Sequence, residues 1–238
     1  MSFYTRFASC YEAVFPFREE VYRFLKEHSG SERCAVLDAG CGPGHYCGRF
    51  VRDGYRATGI DLDGEMIASA RKTYPGAAFR CLDLRRMNIL GTGFRCIYSI
   101  GNVMAHLPSG DLPAFLERLH GMLPPDGVWI MQVVNWDRYL TMQDHDFPEK
   151  QVETAGGPLA FRRRYTAIRP ESAIFSFSLH RGAETLFEER MTLYPVTTAG
   201  YLSLHEAAGF RRKGCFAGFT GEPFRSEGDA GPVMVFAK

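Results

Sequence analysis

The chain has 238 residues, of which 45% are hydrophobic, 13% aromatic and 23% charged. That excludes a disordered or fibrous chain and leaves room for one large domain, with or without an elaboration. Lys and Arg number 28 and Asp and Glu 27, a net charge of +1, so no global field draws the molecule to nucleic acid or to anionic lipid.

A chain of this length buries most of the surface its unfolded form exposes and needs no metal or disulfide to fold. Its seven cysteines are scattered, odd in number and without a C-x-x-C pair. Most sit in apolar runs, where Cys acts as a small hydrophobe, a usage expected of a reducing cytoplasm. Residues 1–12 lack the basic and apolar regions of a signal peptide. No apolar run reaches the roughly 18 residues that span a bilayer.

In chain order, Phe17 to His28 has helical periodicity, with Val21, Phe24 and Leu25 on one face and Gly30 after its end. Cys34 to Asp38 is a short apolar strand. Glycines 40, 42 and 44 follow, and then a helix carrying Phe50 and Val51. Arg56 to Ile60 is a second strand ending in Asp61, and Asp63 caps a helix that runs through Tyr74. Ala77 to Leu82 and Phe94 to Ile100 are the third and fourth strands. Asp111 to Leu123 is a helix with Pro113 in its first turn, and Val128 to Val134 is the fifth strand. Strands alternating with helices predict βαβ units and a parallel sheet with right-handed crossovers.

The pattern changes between Asn135 and Pro195. Leu159 to Ile168, Ala173 to Leu179 and Thr185 to Tyr194 alternate as strands, with turn residues between them. They predict a three-stranded antiparallel insertion. Thr198 to Ala208 is a helix ended by Gly209, and Phe210 to Phe219 with Val233 to Ala237 makes a closing strand pair. The expected domains are 1–134 with 196–238, and an insertion over 135–195 covering the acceptor side.

The chemistry concentrates in Val36-Leu-Asp38-Ala-Gly40-Cys-Gly42-Pro-Gly44-His45. Glycines at a strand-to-helix turn let a ligand approach the backbone. The dinucleotide pattern wants its third glycine where His45 stands. A carboxylate at Asp38 would also repel a pyrophosphate, whereas a ligand with an ammonium or sulfonium, such as S-adenosylmethionine, is helped by it. The alternative is that Asp38 caps the next helix. Asp61, 23 residues on, can accept both ribose hydroxyl protons; otherwise it is an ordinary strand-end acid. Met66 can pack on adenine or be plain core. Asp83 can accept the adenine amino proton while the Leu84 amide donates to the ring; equally, Asp83 can be a helix cap.

Val36 to Gly44, Gly59-Ile-Asp61-Leu-Asp63, Cys81-Leu-Asp83-Leu and Leu123-Pro-Pro-Asp-Gly-Val128 together resemble the class I S-adenosylmethionine-dependent methyltransferases. The resemblance covers roughly residues 1 to 135 and extends to the closing strand pair. It implies an α/β, Rossmann-like seven-stranded sheet, mostly parallel with its last strand antiparallel and helices on both faces. It also implies that Asp38, Gly40, Gly42, Asp61, Asp83 and Leu84 bind the cofactor, S-adenosyl-L-methionine. Leu62, Met66, Ile100 and Gly101, in or beside these motifs, join that set. The N-terminal aromatics resemble the small-molecule branch, where they cover the cofactor. Ser99 to Leu107 locally resembles glycine/sarcosine N-methyltransferase-like enzymes.

On the acceptor side, His106 lies just past strand four and is the candidate general base, or else a structural histidine. Tyr4 and Tyr11 could lay their π-faces on the sulfonium; Tyr11 is favoured as a cofactor contact and Tyr4 is assigned to the acceptor. Asn102, Trp136 and Tyr139 are candidate acceptor contacts, though Trp136 could equally pack the insertion onto the sheet. Of Arg162, Arg163 and Arg164, Arg163 should point opposite to its neighbours. One face could bind a carboxylate; a solvated strand face is the plainer reading. Asp144-His145-Asp146 is assigned no metal.

The expected activity is methyl transfer to an N or O nucleophile of a small molecule, without nucleic acid or membrane partners. The insertion either pairs across a homodimer or covers one pocket. The rival readings are a non-catalytic module binding S-adenosylmethionine or its product, and a NAD-dependent dehydrogenase.

Overall fold

The computed structural model describes residues 11–31, 33–154 and 156–238. Helix α1 (Glu19–His28) precedes strand β1 (Ala35–Ala39), α2 (His45–Arg52), β2 (Arg56–Asp61), α3 (Gly64–Thr73) and β3 (Ala78–Cys81). A 3₁₀ segment (Leu84–Leu90) then leads to β4 (Phe94–Ser99), a 3₁₀ turn (Val103–His106), α4 (Leu112–Met122) and β5 (Val128–Gln132).

After a single helical turn, α5 (Trp136–Tyr139), come β6 (His145–Asp146), β7 (Lys150–Val152), β8 (Leu159–Thr166), β9 (Ala173–Arg181) and β10 (Glu184–Leu193). Helix α6 (Thr198–Ala207), β11 (Arg211–Phe216) and β12 (Val233–Ala237) complete the order of elements.

The main sheet has seven strands in the order β11-β12-β5-β4-β1-β2-β3. Strands β1 to β5 pair in parallel, and β12 runs antiparallel to both β5 and β11. Strand order reverses between β1 and β4, so a crevice opens outside their carboxyl ends, where open α/β sheets bind ligands.

The apolar runs explain the two-sided burial. Trp129 and Met131 of β5 face α4 and α6 in one core, together with Leu37, Ile97 and Phe236. Val128 and Ile130 face the other way, onto α1, α2 and α3, with Val36, Cys96 and Val235. Continuous burial is what a parallel strand with helices on both faces requires. Helix α6 contributes a buried polar pair. His205 Nε2 accepts from Trp129 Nε1 at 3.0 Å, its Nδ1 lies 2.6 Å from the Tyr201 carbonyl, and its ring stacks on Phe236. Donating through Nδ1 fixes the tautomer, and burial lowers the pKa to about 4, so the ring is neutral at pH 7.

The insertion is a second antiparallel sheet of five strands, not three. Its order is β10-β9-β8-β6, with β7 also paired to β8. The two added strands have two and three residues, too few for alternation to show. One face of β8 carries Leu159, Phe161, Arg163 and Tyr165 inward, and Arg162 and Arg164 face solvent.

The outer face, with Ser176, Ser178 and Arg190, lines an open groove of about 610 Å³. Its arginines pair with Glu149, Asp146 and Glu188. This is the solvated strand face of the plainer reading, and such pairs contribute little stability. Among the described residues no helix is long and apolar enough to cross a membrane.

Candidate cofactor and acceptor site

The glycine turn after β1 is closed by its own amides. Gly40 N and Cys41 N both donate to the Ile60 carbonyl, at 2.8 and 2.9 Å, and Gly44 N donates to Cys41. Gly42 N donates to Asp61 Oδ2 at 2.8 Å, while Asp61 Oδ1 accepts from Asp63 N at 2.9 Å. A turn built for pyrophosphate would aim such amides at the ligand; here four of them serve the loop. Glycine is required at position 40, where φ is +100° and an added Cβ would lie 2.6 Å from Val103 Cγ2. Asp63 is the cap of α3, accepting from Met66 N at 2.7 Å.

Asp38 is 2% exposed at the end of β1. Its Oδ1 is buried with no hydrogen-bond partner, and its Oδ2 receives only a long contact from Cys47 Sγ at 3.9 Å. Burial first, and the Asp61 charge besides, push its pKa up to about 8. The Tyr98 hydroxyl beside it favours the carboxylate form, although no well-formed hydrogen bond joins the two. Asp61 is likewise raised, by burial. A buried and a half-buried carboxyl group at one bend make a site that a cation would relieve.

Tyr11 stands over this bend. Its hydroxyl lies 3.5 Å from where a Gly42 Cβ would be, and burial together with Asp61 and Asp38 raises its pKa. Residues 11–14 are helical. Tyr11 packs on Phe15, and Phe15 packs edge-on against Phe161 of the insertion. Lys150 Nζ donates to the Val14 carbonyl. The segment is thus a strap tying the glycine turn to the insertion. Tyr4 lies outside the described residues.

The remaining sites divide. Leu62 is 72% exposed beside Asp61, an apolar surface that a purine would cover. Met66 instead is buried with Val14 and Phe161. Asp83 caps the 3₁₀ segment through Arg85 N, and Arg85 also holds both of its oxygens in an ion pair that lowers its pKa. Leu84 is partly buried in the main core.

Past β4, Ile100 is partly buried and Gly101 N donates to Gln132 Oε1 at 2.8 Å. Asn102, at φ +65°, accepts from Val134 N at 3.0 Å, which ties this turn to the end of β5. His106 follows buried Met104 and Ala105, and the Ala105 carbonyl accepts from Tyr194 N of the insertion. His106 itself is open to solvent, yet the protein crowding it lowers its pKa.

Trp136 and Tyr139 are buried with Ala105 and Tyr165 and join the insertion to the main sheet. Trp136 Nε1 is buried without a partner. His145 packs on Tyr139 and Phe147, and among the described residues no three His, Cys, Asp or Glu are grouped to hold a metal ion.

Sequence reasoning missed Ser99, Gln132 and Asn135. Ser99 Oγ donates to the Ala39 carbonyl at 2.7 Å, clamping β4 to β1. Asn135 Nδ2 donates to the carbonyls of Ser226 and Asp229. Asn135 also caps α5 by accepting from Arg138 N, a local pattern, but the carbonyls it donates to lie far along the chain and no local pattern marks them.

The residues present fit S-adenosylmethionine. A buried carboxyl oxygen without a hydrogen-bond partner suits a cation, and an exposed leucine adjoins the second acid of the bend. Residues 36–127 match the family described as "Methyltransferase domain". That stretch is similar to methyltransferase domains, and the sheet order above is a Rossmann-like, seven-stranded one with its last strand antiparallel.

The chain is 30% identical over 128 residues to the malonyl-[acyl-carrier protein] O-methyltransferase of Hamiltonella defensa, covering 53% of this chain and 48% of that protein. It is 30% identical over 110 residues to a dTDP-3-amino-3,6-dideoxy-alpha-D-glucopyranose N,N-dimethyltransferase of Streptomyces fradiae, covering 45% and 42%. It spans about half the length of these relatives. An S-adenosylmethionine-dependent methyltransferase structure from Clostridium acetobutylicum superposes with a TM-score of 0.79 over 99% of both chains at 15% identity, a likeness of fold.

Proposed function

We propose that this chain transfers a methyl group from S-adenosylmethionine to a nitrogen or oxygen of a small molecule. The observation that carries the reading is Asp38, a buried carboxyl with a partnerless oxygen at a bend whose own amides are already bonded. When bound, S-adenosylmethionine supplies an electrophilic methyl on a good leaving group. Asp38 and Asp61 would hold its charged and ribose portions, Leu62 its base, and Gly40 and Gly42 would shape the bend beside it. Tyr11 would cover it and exclude water. Asp83, with both oxygens on Arg85, would contribute to adenine only by sharing that pair.

The chain's work on the acceptor is orientation and proton removal. With its pKa lowered, His106 is neutral at pH 7 and can take the proton from the acceptor nitrogen or oxygen. Buried Trp136 and Tyr139 shape the wall around it, and Asn102 sets the turn that presents it. Of the relatives named above, one is an O-methyltransferase of a malonyl-[acyl-carrier protein] and the other an N,N-dimethyltransferase of a dTDP-amino sugar; the second supports a small acceptor, and the pair does not choose between N and O. The six described cysteines are free thiols, in keeping with a reducing cytoplasm, and the net charge of +1 gives no reason to invoke nucleic acid.

The test is turnover of methyl-labelled S-adenosylmethionine with a panel of small amines, hydroxy acids and phenols. At least one acceptor should be labelled, and His106→Ala should lower kcat by about 10²–10⁴-fold with cofactor affinity unchanged. Full turnover by His106→Ala would remove it as the base. Binding of adenosylhomocysteine with no transfer to any acceptor would favour a non-catalytic binding module.

A further inference from the structure

The inner face of the insertion is pinned at both ends. Leu159, Phe161 and Leu179 share a cluster with Val14 and Met66 on the cofactor side. Tyr165, Ala173 and Leu193 share another with Ala105 and Trp136, beside His106. Between these anchors the strand register sets Arg163, Phe177 and Glu189 in one row. This row lies between the residues anchored on the cofactor side and those anchored beside His106.

Arg163 is unlike its neighbours. Arg162 and Arg164 hold acidic partners on the outer face. Arg163 makes no ion pair among the described residues, and its Nε is buried without a hydrogen-bond partner. Its guanidinium carbon lies 4.9 Å from the Phe147 ring centroid and 5.6 Å from that of Phe161. Aromatic faces stabilise the flat cation but bind none of its N–H groups. They hold the fork in place with its donor edge still unsatisfied, the geometry that takes up a carboxylate or phosphate through paired hydrogen bonds. Glu189 stands two strands away, roughly 10 Å by strand spacing, with Phe177 between, so it does not neutralise the guanidinium.

We infer that Arg163 binds an anionic group, a carboxylate or a phosphate, carried by the methyl acceptor. This rests on the methyltransferase reading above and narrows its substrate class to anionic small molecules.

The experiment uses the full chain saturated with adenosylhomocysteine and three flat probes suited to the phenylalanine-lined face: benzoate, phenyl phosphate and neutral benzamide. Their affinities are compared by saturation-transfer NMR titration. At least one anion should bind at least tenfold more tightly than benzamide; preference for benzoate identifies a carboxylate and preference for phenyl phosphate a phosphate. In Arg163→Met, which keeps an apolar stem between the rings, that preference should fall to within twofold while adenosylhomocysteine affinity is unchanged. Equal binding of all three probes by the unaltered chain would overturn this inference alone, whatever the variant's folding. So would an anion preference that survives in Arg163→Met. Failure of the unaltered chain to bind adenosylhomocysteine would overturn the cofactor reading and this one with it.

Discussion

Asp38 carries a folding penalty that a bound cation would relieve. A carboxyl 2% exposed with a partnerless oxygen would ordinarily be replaced by an apolar or amide side chain. The sign of its effect on stability is set by its raised pKa. Between the ordinary value near 3.9 and about 8, the unfolded chain binds fewer protons at this position than the folded one. The ligand-free protein therefore loses stability as pH rises through that window, by roughly 1.4 kcal/mol per unit. Asp38→Asn removes the titration. Thermal unfolding of the ligand-free proteins should show the variant gaining on the unaltered chain from pH 5 to pH 8; parallel curves would mean that Asp38 is already compensated. Asp38 itself was legible from its place before the first glycine. Arg163's isolation was legible only in part: the alternation of β8 turned it away from Arg162 and Arg164, but the rings that bracket it come from separate positions along the chain.

Among elements, the strap at residues 11–15 matters most to function. It touches the glycine turn through Tyr11, the insertion through Phe15 and Phe161, and β7 through the Lys150 contact to Val14. Phe15 is 40% exposed, so its ring contributes to the tie more than to the core. Phe15→Ala should leave unfolding stability within about 1 kcal/mol, as for most exposed positions, while speeding adenosylhomocysteine release several-fold in stopped-flow measurements. An unchanged release rate would show that the strap does not hold the cofactor. Tyr11 could be placed from sequence because Pro16, five residues on, stiffens the end of its segment. The strands β6 and β7 could not be, because His145–Asp146 and Lys150–Val152 are short, polar and recognisable only through their pairing with β8.

For the whole molecule, the parallel sheet was written in its continuous apolar runs, and its glycine bend and acidic strand ends mark the edge proposed to bind the cofactor. The count of seven strands and the antiparallel last strand came from the resemblance, and the strand order β11-β12-β5-β4-β1-β2-β3 was not read, since local periodicity carries no information on neighbours. The ties that shape the acceptor side escaped: Asn135 to the 226–229 loop, Asn102 to β5, and Tyr194 to Ala105. Each joins segments distant in sequence, and each is a polar side chain or amide that reads locally as loop. Every role proposed for these residues depends on a cation being bound where Asp38 is buried. Calorimetric titration of S-adenosylmethionine at pH 7, repeated in buffers of different ionisation enthalpy, tests this most directly. Binding should release close to one proton, and Asp38→Asn should both lose that release and weaken affinity by at least tenfold. Binding without proton release, unaltered in Asp38→Asn, would contradict cation binding at Asp38.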